Sequence, residues 1–194
     1  MKVADRGKLV IISGPSGAGK SSVARALLEI CPLPLALSVS ATTRPPRRGE
    51  RDGVDYHFLT QEDFRRRRSQ GDFLECKEVY GRGDWYGTLK STVSAALQEG
   101  KWLVLSIDVQ GAAAVLEQYP EAITIFLHAG SLEELERRLR QRGTESEASL
   151  QSRLAVARRE LAMADRYRHQ VVNHTISLAA REICDVLRAY AVPA

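Results

Sequence analysis

Eight residues constrain this chain more than any others: Gly14-Pro15-Ser16-Gly17-Ala18-Gly19-Lys20-Ser21. They satisfy G-x-x-x-x-G-K-[ST], the pattern of a phosphate-binding loop, at every fixed position. The flanks give the match its meaning. Before it, Lys8-Leu9-Val10-Ile11-Ile12-Ser13 is an apolar run suited to a buried parallel strand. After it, Val23, Ala26, Leu27 and Ile30 recur at helical spacing. The expected order is strand, glycine loop, helix. Glycines let such a backbone curl until successive N–H groups point at phosphate oxygens, and the positive end of the new helix adds to the attraction. The loop and its continuation to Ser22 would hold a nucleotide's phosphates, with Lys20 neutralising the β and γ groups and the Ser21 hydroxyl ligating Mg²⁺. The plainer reading, an ordinary Gly/Ser-rich turn, gives no reason for the strand before it and the helix after it.

Composition narrows the partners. A chain of 194 residues fits one domain. Its net charge of +4 is not concentrated, since residues 40–90 hold 11 Lys/Arg against 9 Asp/Glu. Interspersed arginines suit a small polyanion better than a duplex, so no nucleic-acid partner is expected. Cys31, Cys76 and Cys184 have neither zinc nor C-x-x-C spacing and read as buried or idle thiols of a reducing compartment. The first six residues lack the apolar stretch of a signal peptide, and no run of 18 apolar residues would span a membrane. A soluble cytoplasmic protein, monomer or homo-oligomer, is the expectation.

The rest of the chain alternates. Strands are expected at 35–40, 73–79, 102–108, 122–127 and 171–173. Helices are expected at 60–70, from a cap at Thr88 to Gly100, and at 111–118, 131–142, 149–164 and 177–190. This is the α/β class, a parallel sheet wrapped by helices, in a single domain over 7–190. Two polar, arginine-bearing segments interrupt it, 40–90 and about 131–162, in the manner of lids that exclude water during transfer. Residues 41–55 read as a loop with nothing apolar to bury. In it Arg44 and Arg47 are two guanidinium forks able to chelate one phosphate. The run Arg65-Arg66-Arg67-Arg68 reads as a solvated helix face. Glu75 and Lys77 fall on one face of their strand. Asp108 ends an apolar run, as does the acid on the magnesium side of phosphate loops; merely capping the next helix is the lesser alternative, and the two are compatible.

The order and spacing of several motifs resemble guanylate kinase from about Lys8 to Tyr190. They are the loop itself, Ser38-Val39-Ser40-Ala41-Thr42-Thr43-Arg44-Pro45-Pro46-Arg47-Arg48-Gly49-Glu50, Asp55-Tyr56, Phe73-Leu74-Glu75, Trp85-Tyr86-Gly87-Thr88, Ile107-Asp108-Val109-Gln110-Gly111 and Arg142-Gly143-Thr144-Glu145. The resemblance implies transfer of the ATP γ-phosphoryl group to GMP with Mg²⁺. It implies a core at about 7–39, 91–128 and 163–190, a GMP-binding insert at about 40–90 and a lid at about 129–162. Ser40, Arg44, Arg47, Tyr56 and Tyr86 would hold the GMP phosphate; Glu75 and Thr88 would read guanine, with Asp108 nearby. Arg138, Arg142 and Arg153 would belong to the lid, and Asn173 to the loop at the ATP base. No general base is needed, since a nucleotide phosphate is ionised near pH 7, and His57, His128, His169 and His174 read as surface or packing residues.

Three departures from the family pattern stand out: Ser106 where an acid is common, a turn at 81–86 about two residues longer than usual, and His174 where an acid often follows Asn173. The rival readings are a non-catalytic interaction module of the same fold, a regulatory GTPase and another nucleoside monophosphate kinase. The first would degrade the loop, yet Lys20 and Ser21 are intact. The second would need an N-K-x-D motif, which is absent from the sequence. Glu75 and the 38–50 stretch argue against the third.

Overall fold

In a computed structural model, which describes residues 7–79, 83–141 and 147–191, the alternation becomes a five-stranded parallel sheet. Its strands are β1 (Leu9–Ser13), β2 (Leu35–Leu37), β7 (Trp102–Ser106), β8 (Ile123–His128) and β9 (His169–Val172), in the order β2-β7-β1-β8-β9. All five residues of β1 are buried, because it has a strand on each side and helices on both faces. Alternation along it divides the core. Val10 and Ile12 pack with Val23 and Leu27 of α1 (Lys20–Ile30) and with Ile183 and Leu187 of α7 (Ile176–Ala189). Leu9 and Ile11 pack with Val93 of α3 (Lys90–Gln98) and with Ala112 and Val115 of α4 (Val109–Gln118) on the other face. Where α1 meets α7, the Cys184 thiol donates to Cys31 Sγ at 2.6 Å, and burial, then that contact, pushes the Cys184 thiol up to about 12.

A second sheet is inserted between β2 and β7. It comprises β3 (Ala41–Thr42), β4 (His57–Phe58), β5 (Phe73–Val79) and β6 (Asp84–Leu89), in the order β4-β3-β6-β5. Its small core of Ala41, Phe64, Phe73 and Leu89 is backed by α2 (Gln61–Ser69), where Phe64 and Phe73 stack at 4.4 Å. Arg65, Arg66 and Arg68 are exposed as expected, with Arg68 lying over the Trp85 ring at 4.4 Å. A third cluster joins α5 (Leu132–Gln141) to α6 (Glu147–Leu161) through Leu135, Leu139, Leu150 and Leu154.

Several sequence expectations give way. Residues 41–55 are not all loop: Ala41 and Thr42 are fully buried and form β3, with the small Ala41 packed against Phe64 of α2 and Phe73 of β5. Thr88 does not cap a helix. It ends inside β6, with Leu89 as the helix-capping position and no side-chain cap. The strand at 102–108 stops at Ser106, and Asp108 caps α4, its Oδ1 accepting from Gly111 N at 2.8 Å. The last strand covers His169–Val172, leaving Asn173 just beyond it.

Candidate active site

The glycine loop leaves the carboxyl end of β1, the central strand, where an open α/β sheet presents its crevice. Gly14 and Gly19 have φ of 137° and 92°. A Cβ on Gly14 would strike the Leu127 carbonyl, and one on Gly19 the Asn173 amide, so both positions need glycine. No acid occupies the first turn of α1, which leaves its N-terminal field open to an anion. Lys20 Nζ donates to the carbonyls of Gly14 (2.6 Å) and Pro15 (3.2 Å). Ser21 and Ser22 follow on the helix and are exposed.

Two arginines from the α5–α6 pair reach this loop region. Arg153 Nη2 donates to Ser16 Oγ at 2.6 Å. Arg138 is held by Glu134 Oε1 and by the Asn173 carbonyl, both at 2.7 Å. Arg142 lies outside the described residues. Asn173 is 3% exposed, and its Nδ2 donates to the Ala18 carbonyl at 2.7 Å. It braces the loop from beneath instead of facing an open base cleft. It lies two residues beyond the buried Val171, on the same inward face, and its backbone N–H still donates to the His128 carbonyl at 2.8 Å.

Facing the loop across the end of β7 is a cleft of about 170 Å³ that brings together Ser40, Tyr56, Glu75, Tyr86 and Asp108. Thr88 joins through Glu75: the two are cross-strand partners, and Thr88 Oγ1 donates to Glu75 Oε1 at 2.7 Å. Burial raises the Glu75 carboxyl above its ordinary value; the Thr88 hydroxyl draws it back and the Asp108 charge raises it again. Asp108 shifts the other way. Burial would raise it, but the Gly111 N–H and the Lys77 ammonium outweigh that and hold it low. Arg44 stands at the cleft's edge. Its Nε donates to the Tyr86 hydroxyl (3.1 Å), its Nη2 to both oxygens of Glu50 (2.9 Å each), and its guanidinium lies 5.4 Å from the Tyr56 ring centre. Arg47 is exposed, and its backbone N–H also binds Glu50, at 2.7 Å. That N–H, before the Arg44 guanidinium, lowers the Glu50 carboxyl. The longer turn at 81–86 lies partly outside the described residues, yet Tyr86 aims at the cleft, with its ring 5.8 Å from that of Tyr56.

Sequence reasoning gave no role to three residues found here. Glu50 fixes Arg44, and its place six residues after it in an arginine-rich loop was the available signal. Lys77 lines the cleft and pairs with Asp108 at 2.6 Å. Glu160 of α6 feels Lys20 and Asp108, although burial is the larger influence and raises its carboxyl; nothing in a polar helical stretch marked it out.

A phosphate-loop motif and a carboxylate-bearing cleft thus lie at the same end of the parallel sheet. Residues 6–190 match the family model described as guanylate kinase. The chain belongs to the guanylate kinase family. It is 56% identical over 187 residues to the guanylate kinase of Rhodopirellula baltica, covering 96% of this chain and 90% of that protein. It is 47% identical to that of Rubrobacter xylanophilus, covering 94% of each. A crystal structure of guanylate kinase from Anaplasma phagocytophilum superposes with a TM-score of 0.78 at 33% identity, covering 97% of this chain and 88% of that one. Guanylate kinase membership removes the GTPase reading.

Proposed function

We propose that the protein transfers the γ-phosphoryl group of ATP to GMP, and that the observation carrying this is Glu75: a carboxylate set in a cleft beside a phosphate loop, anchored by Thr88 at 2.7 Å. Guanine offers N1–H and N2–H₂ as adjacent donors, and one ionised carboxylate accepts both. Adenine has an acceptor at N1 and would leave the charge unpaired, so the site selects against it. Asp108 lies beside Glu75 and completes the acceptor side. Ser40, Tyr56, Tyr86, Arg44 and Arg47 would take the GMP phosphate. Glu50 holds the Arg44 fork in place before the substrate arrives, so less side-chain freedom is lost on binding.

ATP phosphates would lie against the N–H groups of residues 14–22. Lys20 would move from the Gly14 and Pro15 carbonyls to the β/γ oxygens, and Arg138, Arg142 and Arg153 would bring the lid's charge to the transferring group. The GMP oxygen is already ionised, so the chain supplies position and charge and removes no proton. Mg²⁺ fits the residues present. Ser21 gives one exposed hydroxyl oxygen, and no three His, Cys, Asp or Glu side chains among the described residues gather to hold a metal. That suits an ion that keeps waters and takes most other ligands from phosphates. When bound, it would help neutralise the charge of the transferring phosphoryl group, with the Ser21 hydroxyl as the chain's own ligand. No helix among the described residues is long and apolar enough to cross a membrane. A cytoplasmic enzyme of nucleotide recycling, without a nucleic-acid partner and monomeric or homo-oligomeric, is the reading.

Glu75→Gln tests it. The amide turns donors toward donors, so kcat/KM for GMP should fall at least about tenfold and the preference for GMP over AMP should narrow. KM for ATP should hold. Unchanged GMP kinetics, or equal losses for GMP and AMP, would remove Glu75 from the base site.

A further inference from the structure

Lys77 stands on β5 two residues from Glu75, so both side chains leave the same face of the strand. Its Nζ lies 2.6 Å from Asp108 Oδ2 and 3.3 Å from Gln110 Oε1. Among the described residues lining the cleft it carries the only positive charge, against the carboxylates of Glu75 and Asp108. These two acids converge on the start of α4. A Cβ at Gly111 would stand 3.1 Å from Glu75 Oε2 and 3.6 Å from Asp108 Oδ1. Two anions so placed in a partly buried cleft repel, and the positive end of α4 offsets only a fraction of a charge. The Asp108 oxygens are already divided: Oδ1 caps α4 and Oδ2 takes the Lys77 ammonium.

We propose that Lys77 is a positioning residue for base selection: it fixes Asp108 against the start of α4 and counters its charge, so that Glu75 stays an ionised acceptor for guanine N1–H and N2–H₂. The proposal rests on reading the cleft as the GMP base site. The directions of titration agree with it, since Asp108 raises the Glu75 carboxyl and Lys77 lowers it. Ser106, also lining the cleft, is neutral and adds no counter-charge. The phosphate loop is a separate site, so ATP should be indifferent to Lys77.

Steady-state kinetics of Lys77→Met, Asp108→Asn and the double variant test this, with the melting temperature of each as a control on folding. Lys77→Met should raise KM for GMP about tenfold while kcat and KM for ATP stay within about twofold. Added to Asp108→Asn, the same change should alter KM for GMP less than about twofold, because the charge it counters is gone. An unchanged KM for GMP in Lys77→Met, or an equal rise in both backgrounds, overturns the proposal. So does a rise shared by ATP and accompanied by a lower melting temperature. Glu75→Gln separates this proposal from the reading beneath it. If that variant leaves GMP kinetics untouched, the base site itself is wrong and Lys77 falls with it. If Glu75→Gln is damaging and Lys77→Met is silent, only the role of Lys77 fails.

Discussion

In the proposed reading, base selection rests on one carboxyl, that of Glu75. Burial raises it, the Thr88 hydroxyl lowers it, the Asp108 charge raises it and the Lys77 ammonium lowers it, with burial the largest. A carboxyl raised in the folded state binds its proton more tightly than in the unfolded chain. Its contribution to stability is therefore present below the unfolded value and lost as pH rises through the folded one. Activity follows the opposite sign. Protonated Glu75 presents a donor to guanine's donors, so GMP affinity should fall as pH drops through the raised value. Carboxyl-carbon NMR of the free protein should find Glu75 titrating above the ordinary glutamate value of about 4.3, and Asp108→Asn should bring the midpoint down. A midpoint at or below the ordinary value, or one indifferent to Asp108, would contradict this electrostatic account.

Among elements, the α5–α6 pair carries the clearest consequence. Its apolar cluster is distinct from the two that sandwich the parallel sheet, and Leu154 within it is 1% exposed. Leu154→Ala should cost about 2–4 kcal/mol through a cavity, felt first in this pair. Amide exchange should quicken along α5 and α6 while β1 and β7 keep their protection, and kcat should fall as Arg153 loses its fixed approach to Ser16. Uniform loss of protection across the molecule would mean the pair is not a separate unit. Legibility in the sequence also varied by element. The glycine loop and β1 could be read because their chemistry is local: special φ angles and an unbroken apolar run. Asp108 as a cap was readable for the same reason. Thr88 was not, since its partner Glu75 is thirteen residues away across a strand pair. Neither was β3, whose two residues owe their burial to aromatic side chains supplied by distant segments. The brace that Asn173 makes to the Ala18 carbonyl was not readable either, because its partner lies 155 residues away in the chain.

At the scale of the whole molecule, the two sheets are tied at the place where two nucleotides would meet. Lys77 bonds Asp108 across the sheets, Gln118 Nε2 donates to the Leu74 carbonyl at 3.2 Å, and Arg25 reaches Asp55 at 3.2 Å. Apolar packing joins them too: Leu74 of β5 is buried in the main core with Ala112 and Val115 of α4, so the insert is seated on the parallel sheet at β5. These contacts also set the account's central claim, that a general phosphate site and a guanine-selective cleft act together. The measurement that tests it most directly is a coupled assay of ADP formation from ATP and Mg²⁺ against GMP, AMP, UMP and CMP in turn, with the nucleoside diphosphate identified as product. The account predicts GDP from GMP, with kcat/KM at least about a hundredfold above that for the other three, because each of them leaves the Glu75 carboxylate without its pair of donors. Comparable rates with AMP, or no GDP at all, would contradict it.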